Sequence, residues 1–253
     1  MRTITKLLIP FRVKNWPSVM GYGLKLKYLK GPENEAEKVM VVKFSGKEIR
    51  LHYKSLSFFS VIITVGEIFI DEEYKSLKVK GKTVVDIGAF IGDTAIYFAL
   101  SGAEHVYSFE AYPNTYDLAN RNITENGFKD KVTLINAACG KEGRLTVPDQ
   151  DVPQAGNKLI SSKSGKEIEV WGLDRIVSQF NIKDGILKMD CEGCEYEILA
   201  NASDKALKSF EQIAIEYHRG SRELIKRLEA ASFSITKIIN KDAVIGFIFA
   251  NRK

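Results

Sequence analysis

The 253-residue chain has few cysteines, and it has no apolar run long enough to cross a membrane. Its three cysteines, Cys139, Cys191 and Cys194, are too few and odd in number for the disulfide framework of a small secreted domain. A membrane span needs about 20 mostly apolar residues, and the run Leu7–Phe11, interrupted by proline, is too short even for a signal peptide. We therefore expect a soluble, cytoplasmic protein with reduced thiols.

Acidic residues are missing from residues 1–30, which hold seven basic ones. Because the net charge of the whole chain is only +5, the remainder is slightly acidic. A protein that wraps nucleic acid usually has a basic face on its main domain as well. The simplest interpretation is a solvated basic arm, and contact with an anionic membrane surface, a glycan or RNA is the alternative.

The composition is that of a globular protein, with 45% hydrophobic and 27% charged residues. Residues 1–80 contain a predicted hairpin, Val39–Phe44 with Glu48–Tyr53, followed by the apolar run Ser57–Ile70, which has a helical face. We expect these residues to form a small N-terminal α+β accessory segment.

In residues 81–253, runs of β-branched residues, which predict strands, alternate with amphipathic runs, which predict helices. This alternation is typical of a doubly wound α/β domain with a mostly parallel sheet. Ser232–Ile239 and Ala243–Ala250 have no helix between them and predict an antiparallel pair at the sheet edge. Residues 141–171 interrupt the alternation with two short strand-like runs around a polar loop. We expect this insertion to form a lid beside the site.

Ligands of doubly wound sheets bind at the carboxyl ends of the strands. Gly88 and Gly92 follow the first predicted strand and allow the backbone to approach a ligand closely, and Glu110 ends the second strand and can accept hydrogen bonds from a ribose diol. The nicotinamide pattern G-x-G-x-x-G is missing. Asp86 and Asp93 would repel a pyrophosphate, but they suit the cationic amino-acid part of S-adenosylmethionine.

Several separated motifs resemble the FkbM-type methyltransferases, a family of S-adenosylmethionine-dependent enzymes with a Rossmann-like seven-stranded sheet. The resemblance covers about residues 66–218. It is carried by Gly66-Glu67-Ile68-Phe69, Glu72-Glu73-Tyr74, Val84-Val85-Asp86-Ile87-Gly88-Ala89, Gly92-Asp93, Phe109-Glu110, Pro113, Gly172-Leu173-Asp174, Leu187-Lys188-Met189-Asp190, Glu192-Gly193, Glu195, Ile215-Glu216 and His218.

The resemblance implies an O-methyltransferase that acts on sugars, natural products or related small molecules. Residues of this chain implied to bind the cofactor are Asp86, Gly88, Ala89, Gly92, Asp93, Thr94, Glu110, Ala111 and Ala137. The chain departs from the family at Phe90, where Asn is frequent, at Ala111, where Pro is common, and at Cys191 and Cys194, where small apolar residues are usual. None of these departures removes a cofactor-binding group, although Phe90 can alter contacts to the methionine end.

Methyl transfer to a hydroxyl requires a group that removes its proton. His218 follows a predicted strand, and its ordinary pKa near 6.5 suits a general base. Asp190 is the second candidate, with Glu192 and Lys188 orienting the acceptor or holding the strand end. The same carboxylates and histidine can instead hold a divalent cation, but no spacing fixes a ligand set, so we predict no metal.

Cys191 and Cys194 form a C-x-x-C motif between a strand and a helix, which is also the context of thiol redox or zinc sites. Neighbouring acids oppose a depressed thiol pKa, so we favour packing of small residues at this junction.

The main hypothesis is an enzyme that methylates a hydroxyl of a small molecule, a sugar or a glycan. The alternatives are an RNA methyltransferase that uses the basic arm, and a binding module without turnover.

Overall fold

A computed structural model describes residues 12–17, 37–54, 58–148, 162 and 164–253. Most of the basic arm, and the polar loop of the predicted lid, therefore lie outside the described residues. The strands, in chain order, are β1 (Glu37–Phe44), β2 (Lys47–Lys54), β3 (Thr83–Ile87), β4 (His105–Glu110), β5 (Val132–Asn136), β6 (Ala138–Cys139), β7 (Gly143–Val147), β8 (Lys166–Trp171), β9 (Gly185–Met189), β10 (Phe210–Tyr217), β11 (Phe233–Asn240) and β12 (Gly246–Arg252).

The helices follow the predicted alternation. They are α1 (Phe58–Val65), continued by a π-helical turn over Gly66–Ile70, and then α2 (Asp93–Leu100), α3 (Pro113–Glu125), α4 (Leu173–Gln179), α5 (Glu195–Asn201), α6 (Asp204–Leu207) and α7 (Arg222–Ala230). None of the helices in the described ranges is long and apolar enough to cross a membrane.

Seven strands form the central sheet in the order β11-β12-β10-β9-β3-β4-β5. Strands β10, β9, β3, β4 and β5 are parallel, so their carboxyl ends meet at one edge of the sheet. Strand β12 runs antiparallel to β10 and to β11, which confirms the predicted C-terminal pair. The Rossmann-like, doubly wound architecture predicted from the alternating pattern is therefore correct.

The central strands of the sheet are buried on both faces because they place alternate side chains in two different cores. Val84 packs in one core with α2, α3 and the β1–β2 hairpin. Val85, the next residue, packs in the other core with α4, α5 and α7. This alternation explains why the strands read as continuous apolar runs in the sequence.

The first described residues belong to the same core as the sheet. Strands β1 and β2 form the predicted hairpin, and Phe44 contacts the rings of Phe69 and Tyr97. The boundary between an accessory segment and a catalytic domain at residues 80 and 81 stays a prediction, since the two share one hydrophobic cluster.

The insertion at 141–171 begins and ends in strands, as its apolar runs indicate. Strands β7 and β8 pair antiparallel, and β8 also pairs with the two-residue strand β6, which the sequence did not indicate. Helix α6 was likewise missed because it spans only four residues, Asp204–Leu207.

The side chain of Asn122, on α3, hydrogen-bonds to the β1–β2 hairpin and to the turn after β3. Its amide accepts a hydrogen bond from the backbone N–H of His52 and donates to the carbonyls of His52 and Ile91 at 2.7, 3.0 and 2.9 Å. The side chain is fully buried, so no water can replace these partners. Asn126 makes a similar pair of bonds to Arg50, but in an exposed setting.

We expect Asn122→Ala to lower the free energy of unfolding by about 2–3 kcal/mol, because three buried backbone groups lose their partner. Urea denaturation followed by circular dichroism measures this loss. Asn126→Ala is the matched control, and its cost should stay below about 1 kcal/mol since water can solvate Arg50. Equal losses for the two variants would contradict the assigned role of Asn122.

Candidate active site

The turn between β3 and α2 requires glycine at two positions. Gly88 has φ +88°, and a Cβ atom there would lie 1.8 Å from the carbonyl oxygen of Asp190. Gly92 has φ +84°, and its Cβ would lie 3.1 Å from the carbonyl oxygen of Ala119. Both positions adopt the left-handed backbone that side chains disfavour. The turn can therefore pack closely against neighbouring backbone and leave room for a ligand.

A buried ion pair lies beneath this turn. Lys188 Nζ is 2.9 Å from Asp86 Oδ1, and both side chains are at most 1% exposed. The hydroxyls of Thr94 and Ser108 donate to Asp86 Oδ2, both at 2.8 Å. The ammonium also donates to the Gly88 carbonyl at 2.7 Å. The pair therefore joins β3 to β9 and supports the glycine turn from below.

Two further acids flank the turn. Glu110 ends β4, and its carboxylate accepts hydrogen bonds from the backbone N–H groups of Phe90 and Tyr112, both at 2.9 Å. Asp93 begins α2, and burial raises the pKa of its carboxyl to about 6. Asp93 Oδ2 is buried without a hydrogen-bond partner among the described residues. A ligand that brings hydroxyls to Glu110 and an ammonium to Asp93 would fit both groups.

The ends of β4 and β5 are tied together at the same edge. The side-chain amide of Asn136 donates to the carbonyls of Glu110 and Ala111 at 2.9 and 3.1 Å. Ala137 follows directly and is buried. The predicted cofactor-binding residues Glu110, Ala111 and Ala137 are therefore neighbours.

A histidine and three carboxylates meet at the ends of β9 and β10. His218 Nδ1 is 3.1 Å from Glu195 Oε1, and His218 Nε2 is 3.2 Å from Glu192 Oε2 and 3.9 Å from Asp190 Oδ1. The sequence predicted Asp190, Glu192 and His218 as one site, and the structure brings them together. We call these three residues, with Glu195, the histidine cluster.

The carboxylates control the protonation of His218. Burial alone would lower the pKa of the imidazole, but the hydrogen bond and charge of Glu195, followed by the charges of Glu192 and Asp190, raise it above 6.5. His218 Nδ1 makes the hydrogen bond to Glu195, and because a carboxylate only accepts hydrogen bonds, Nδ1 keeps its proton in the neutral ring. Nε2 is then the nitrogen that has the lone pair. The atom that can accept a proton thus faces Asp190 and Glu192.

Glu195 is the functional residue whose role the sequence did not reveal. Its side chain is fully buried, and Oε1 also accepts a hydrogen bond from the backbone N–H of Cys191 at 3.0 Å. The resemblance included Glu195 among its matching residues, but only the fold shows that it meets His218, which lies beyond α5 and β10.

The three outer members of the cluster also have the chemistry of a cation site. One ligand atom from each of Asp190, Glu192 and His218 lies within 4.8 Å of the others, and all three residues are partly exposed. Oxygen and imidazole ligands of this kind suit a divalent metal ion.

A second group of carboxylates adjoins the histidine cluster. Lys241 Nζ lies 2.8 Å from Glu67 Oε1 and 3.0 Å from Glu216 Oε1, which links the β11–β12 turn to the π-helical turn. Burial, and then the charge of Asp190, raise the pKa of Glu216 to about 10. Burial raises the pKa of Glu73 to about 7. On this side of the site, burial therefore disfavours the charged form of both Glu73 and Glu216.

Two expectations change with the structure. Lys188 is buried against Asp86, so of its two predicted roles the geometry favours holding the strand end over orienting an acceptor.

The expectation of reduced thiols at Cys191 and Cys194 is wrong, because the structure joins them in a disulfide. The turn between β9 and α5 brings their Cα atoms to 5.5 Å, which is within the range for bonding. Cys139 is a free, buried thiol.

The glycine turn, the acid at the end of β4 and the parallel sheet are arranged as in Rossmann-like methyltransferase folds. The model of the methyltransferase FkbM domain matches residues 86–235. The chain belongs to the FkbM methyltransferase family, as its sequence predicted.

Curated relatives are methyltransferases of several kinds. Bovine (Bos taurus) protein arginine N-methyltransferase 7 is 27% identical over 153 residues, which are 58% of this chain and 21% of that protein. Ribosomal protein L11 methyltransferase of Carboxydothermus hydrogenoformans is 44% identical over 55 residues, which are 22% of this chain and 18% of that protein. The chain thus matches about a fifth of the length of these relatives.

Solved structures share the fold at low sequence identity. M. capricolum TrmK in complex with S-adenosyl-homocysteine superposes with a TM-score of 0.50 at 14% identity, over 72% of this chain and 67% of that one. The M. jannaschii tRNA m1G37 methyltransferase gives a TM-score of 0.53 at 17% identity, over 89% of this chain and 59% of that one. These likenesses support the architecture of the sheet.

We expect Lys188→Met to destabilise the fold by about 3 kcal/mol or more, because it leaves Asp86 charged and unpaired in the interior. The double variant Asp86→Asn/Lys188→Met should recover part of this loss since no buried charge remains. Urea denaturation of both variants and the wild type tests the expectation. A fully stable Lys188→Met that has lost turnover would instead make Lys188 catalytic.

Proposed function

We propose that the chain transfers a methyl group from S-adenosylmethionine to a hydroxyl of a small molecule, a sugar or a glycan. The observation that carries the proposal is the orientation of His218, whose Nδ1 is held by buried Glu195 while Nε2 faces the partly exposed Asp190 and Glu192. The histidine cluster adjoins the glycine turn because Asp190 contacts Gly88. A proton acceptor and a cofactor site therefore share one sheet edge.

The residues around the glycine turn fit the cofactor. Gly88 and Gly92 allow close approach of the backbone, and the carboxylate of Glu110, at the end of β4, can accept hydrogen bonds from ribose hydroxyls. The unpartnered Oδ2 of Asp93 suits the ammonium of the methionine part. Bound there, S-adenosylmethionine supplies an electrophilic methyl group on a sulfonium.

The histidine cluster is positioned to remove the proton of the acceptor hydroxyl. Asp190 and Glu192 would orient the acceptor hydroxyl toward His218 Nε2, and His218 Nε2 would accept the proton of that hydroxyl. Glu195 stabilises the resulting imidazolium through its hydrogen bond to Nδ1. Lys188 contributes by fixing β9, on whose carboxyl end Asp190 follows.

The charge of this edge argues against RNA as the acceptor. Asp190, Glu192 and Glu195 lie together, and the two cations beside them already have partners. Lys241 is shared by Glu67 and Glu216, and Arg219 donates to the carbonyl of Gly193. Such a surface repels a phosphate backbone. The arginine and RNA methyltransferases among the similar proteins make RNA and arginine-containing peptides the necessary comparators in any acceptor screen.

We expect His218→Ala to lower kcat by about 10²–10⁴-fold while leaving S-adenosylmethionine affinity unchanged, because the imidazole acts on the acceptor. Turnover is measured as labelled methyl transfer to a panel of sugars, glycans and other alcohols, and affinity by calorimetry. In the wild type, kcat should rise with pH through a midpoint above 6.5, since His218 works as a base only after it loses its proton and its pKa is raised.

His105→Ala is the matched control, since His105 lies at the start of β4 and hydrogen-bonds Thr133 away from the cluster. Its turnover and pH profile should equal those of the wild type. An unchanged kcat in His218→Ala would remove His218 as the proton acceptor. Label that enters only RNA or peptides, and no alcohol, would overturn the hydroxyl acceptor.

A further inference from the structure

The two cysteines of the disulfide lie between residues of the histidine cluster along the chain. Cys191 follows Asp190, Cys194 precedes Glu195, and Glu192 lies between the two cysteines. Both cysteines are partly exposed, whereas Cys139, the remaining cysteine, is buried, and burial raises the pKa of its thiol. Reagents in solution can therefore reach the pair that spans the site and not the third thiol.

The turn that the disulfide closes has a strained backbone. Glu192 has φ +59° and Gly193 has φ +113°, and the first of these is the left-handed region that a glutamate disfavours. A bond between Cys191 and Cys194 restrains both residues from either side. The carbonyl of Gly193 also accepts a hydrogen bond from Arg219 at 3.0 Å, but this contact is exposed and offers weaker restraint.

We propose that Cys191 and Cys194 form a redox-active pair, opened by a dithiol reductant of the thioredoxin class, that controls the position of Glu192 at His218. A thiolate of the reductant attacks one sulfur of the pair, the S–S bond breaks, and the departing thiolate takes up a proton. The second thiol of the reductant then displaces the first cysteine from the mixed disulfide. Two electrons and two protons pass to the protein, and the reductant becomes a disulfide.

Reduction has a defined consequence for the site. Without the S–S bond the two ends of the turn are no longer tied together, so Glu192 can leave its left-handed backbone. Its carboxylate then moves away from the 3.2 Å contact with His218 Nε2. The oxidised form is therefore the one with an ordered histidine cluster, and reduction slows methyl transfer. This consequence for turnover rests on the proposed function, whereas the redox chemistry of the pair does not.

The experiment uses the full chain equilibrated with oxidised or reduced dithiothreitol. Thiols are counted by alkylation under denaturing conditions and mass spectrometry, and we expect one in the oxidised protein and three in the reduced one, out of three cysteines. Crystal structures of the two forms report the contact of Glu192 with His218 directly. We expect Glu192 Oε2 to lie within hydrogen-bonding distance of His218 Nε2 in the oxidised protein, and beyond that distance in the reduced one.

Two variants complete the test. Cys191→Ser/Cys194→Ser should adopt the arrangement of the reduced wild type in both buffers, and the matched control Cys139→Ser should respond to the buffers like the wild type. Three alkylated thiols in the oxidised protein, or the same contact between Glu192 and His218 in both forms, would overturn the proposal. Failure to methylate any alcohol would contradict the proposed function alone, since neither the thiol count nor this contact involves an acceptor.

Discussion

The buried ion pair between Asp86 and Lys188 is the contact on which the site depends. It joins two neighbouring parallel strands at the point where they end, and the same ammonium holds the carbonyl of Gly88. A paired charge in the interior is costly to break, so the ends of β3 and β9 stay in register. Because Gly88 packs against the backbone of Asp190, the cofactor turn and the histidine cluster keep one fixed separation.

The acids at the two halves of this sheet edge have different surroundings and suit different chemistry. Acids at the β3 and β4 ends are buried or bound to backbone, which suits recognition of a cationic cofactor by a small number of directed groups. Acids at the β9 and β10 ends surround one imidazole and set its tautomer and its pKa. The disulfide belongs to this second group, since it closes the turn that carries Glu192.

Local sequence patterns predicted the fold because each helix or strand is formed by a short, continuous stretch of residues. The β-branched run at Thr83–Ile87 and the glycine turn after it needed no long-range information, and the motifs at Asp86 and Asp190 predicted the family. The Glu195–His218 contact and the burial of Lys188 depend on which strands are neighbours, and that order is not local. The sequence did not predict the disulfide. An odd number of cysteines argues against a disulfide framework, but it says nothing about a single turn that brings two cysteines together.

The most direct test of this account is a structure of the chain with S-adenosyl-homocysteine bound. We expect the ribose at Glu110, the amino group at Asp93 and the sulfur turned toward His218 Nε2, with room for one hydroxyl group between them. A sulfur that points away from His218, or an acceptor space that does not reach Asp190 and Glu192, would contradict the claim that cofactor and proton acceptor meet at this edge.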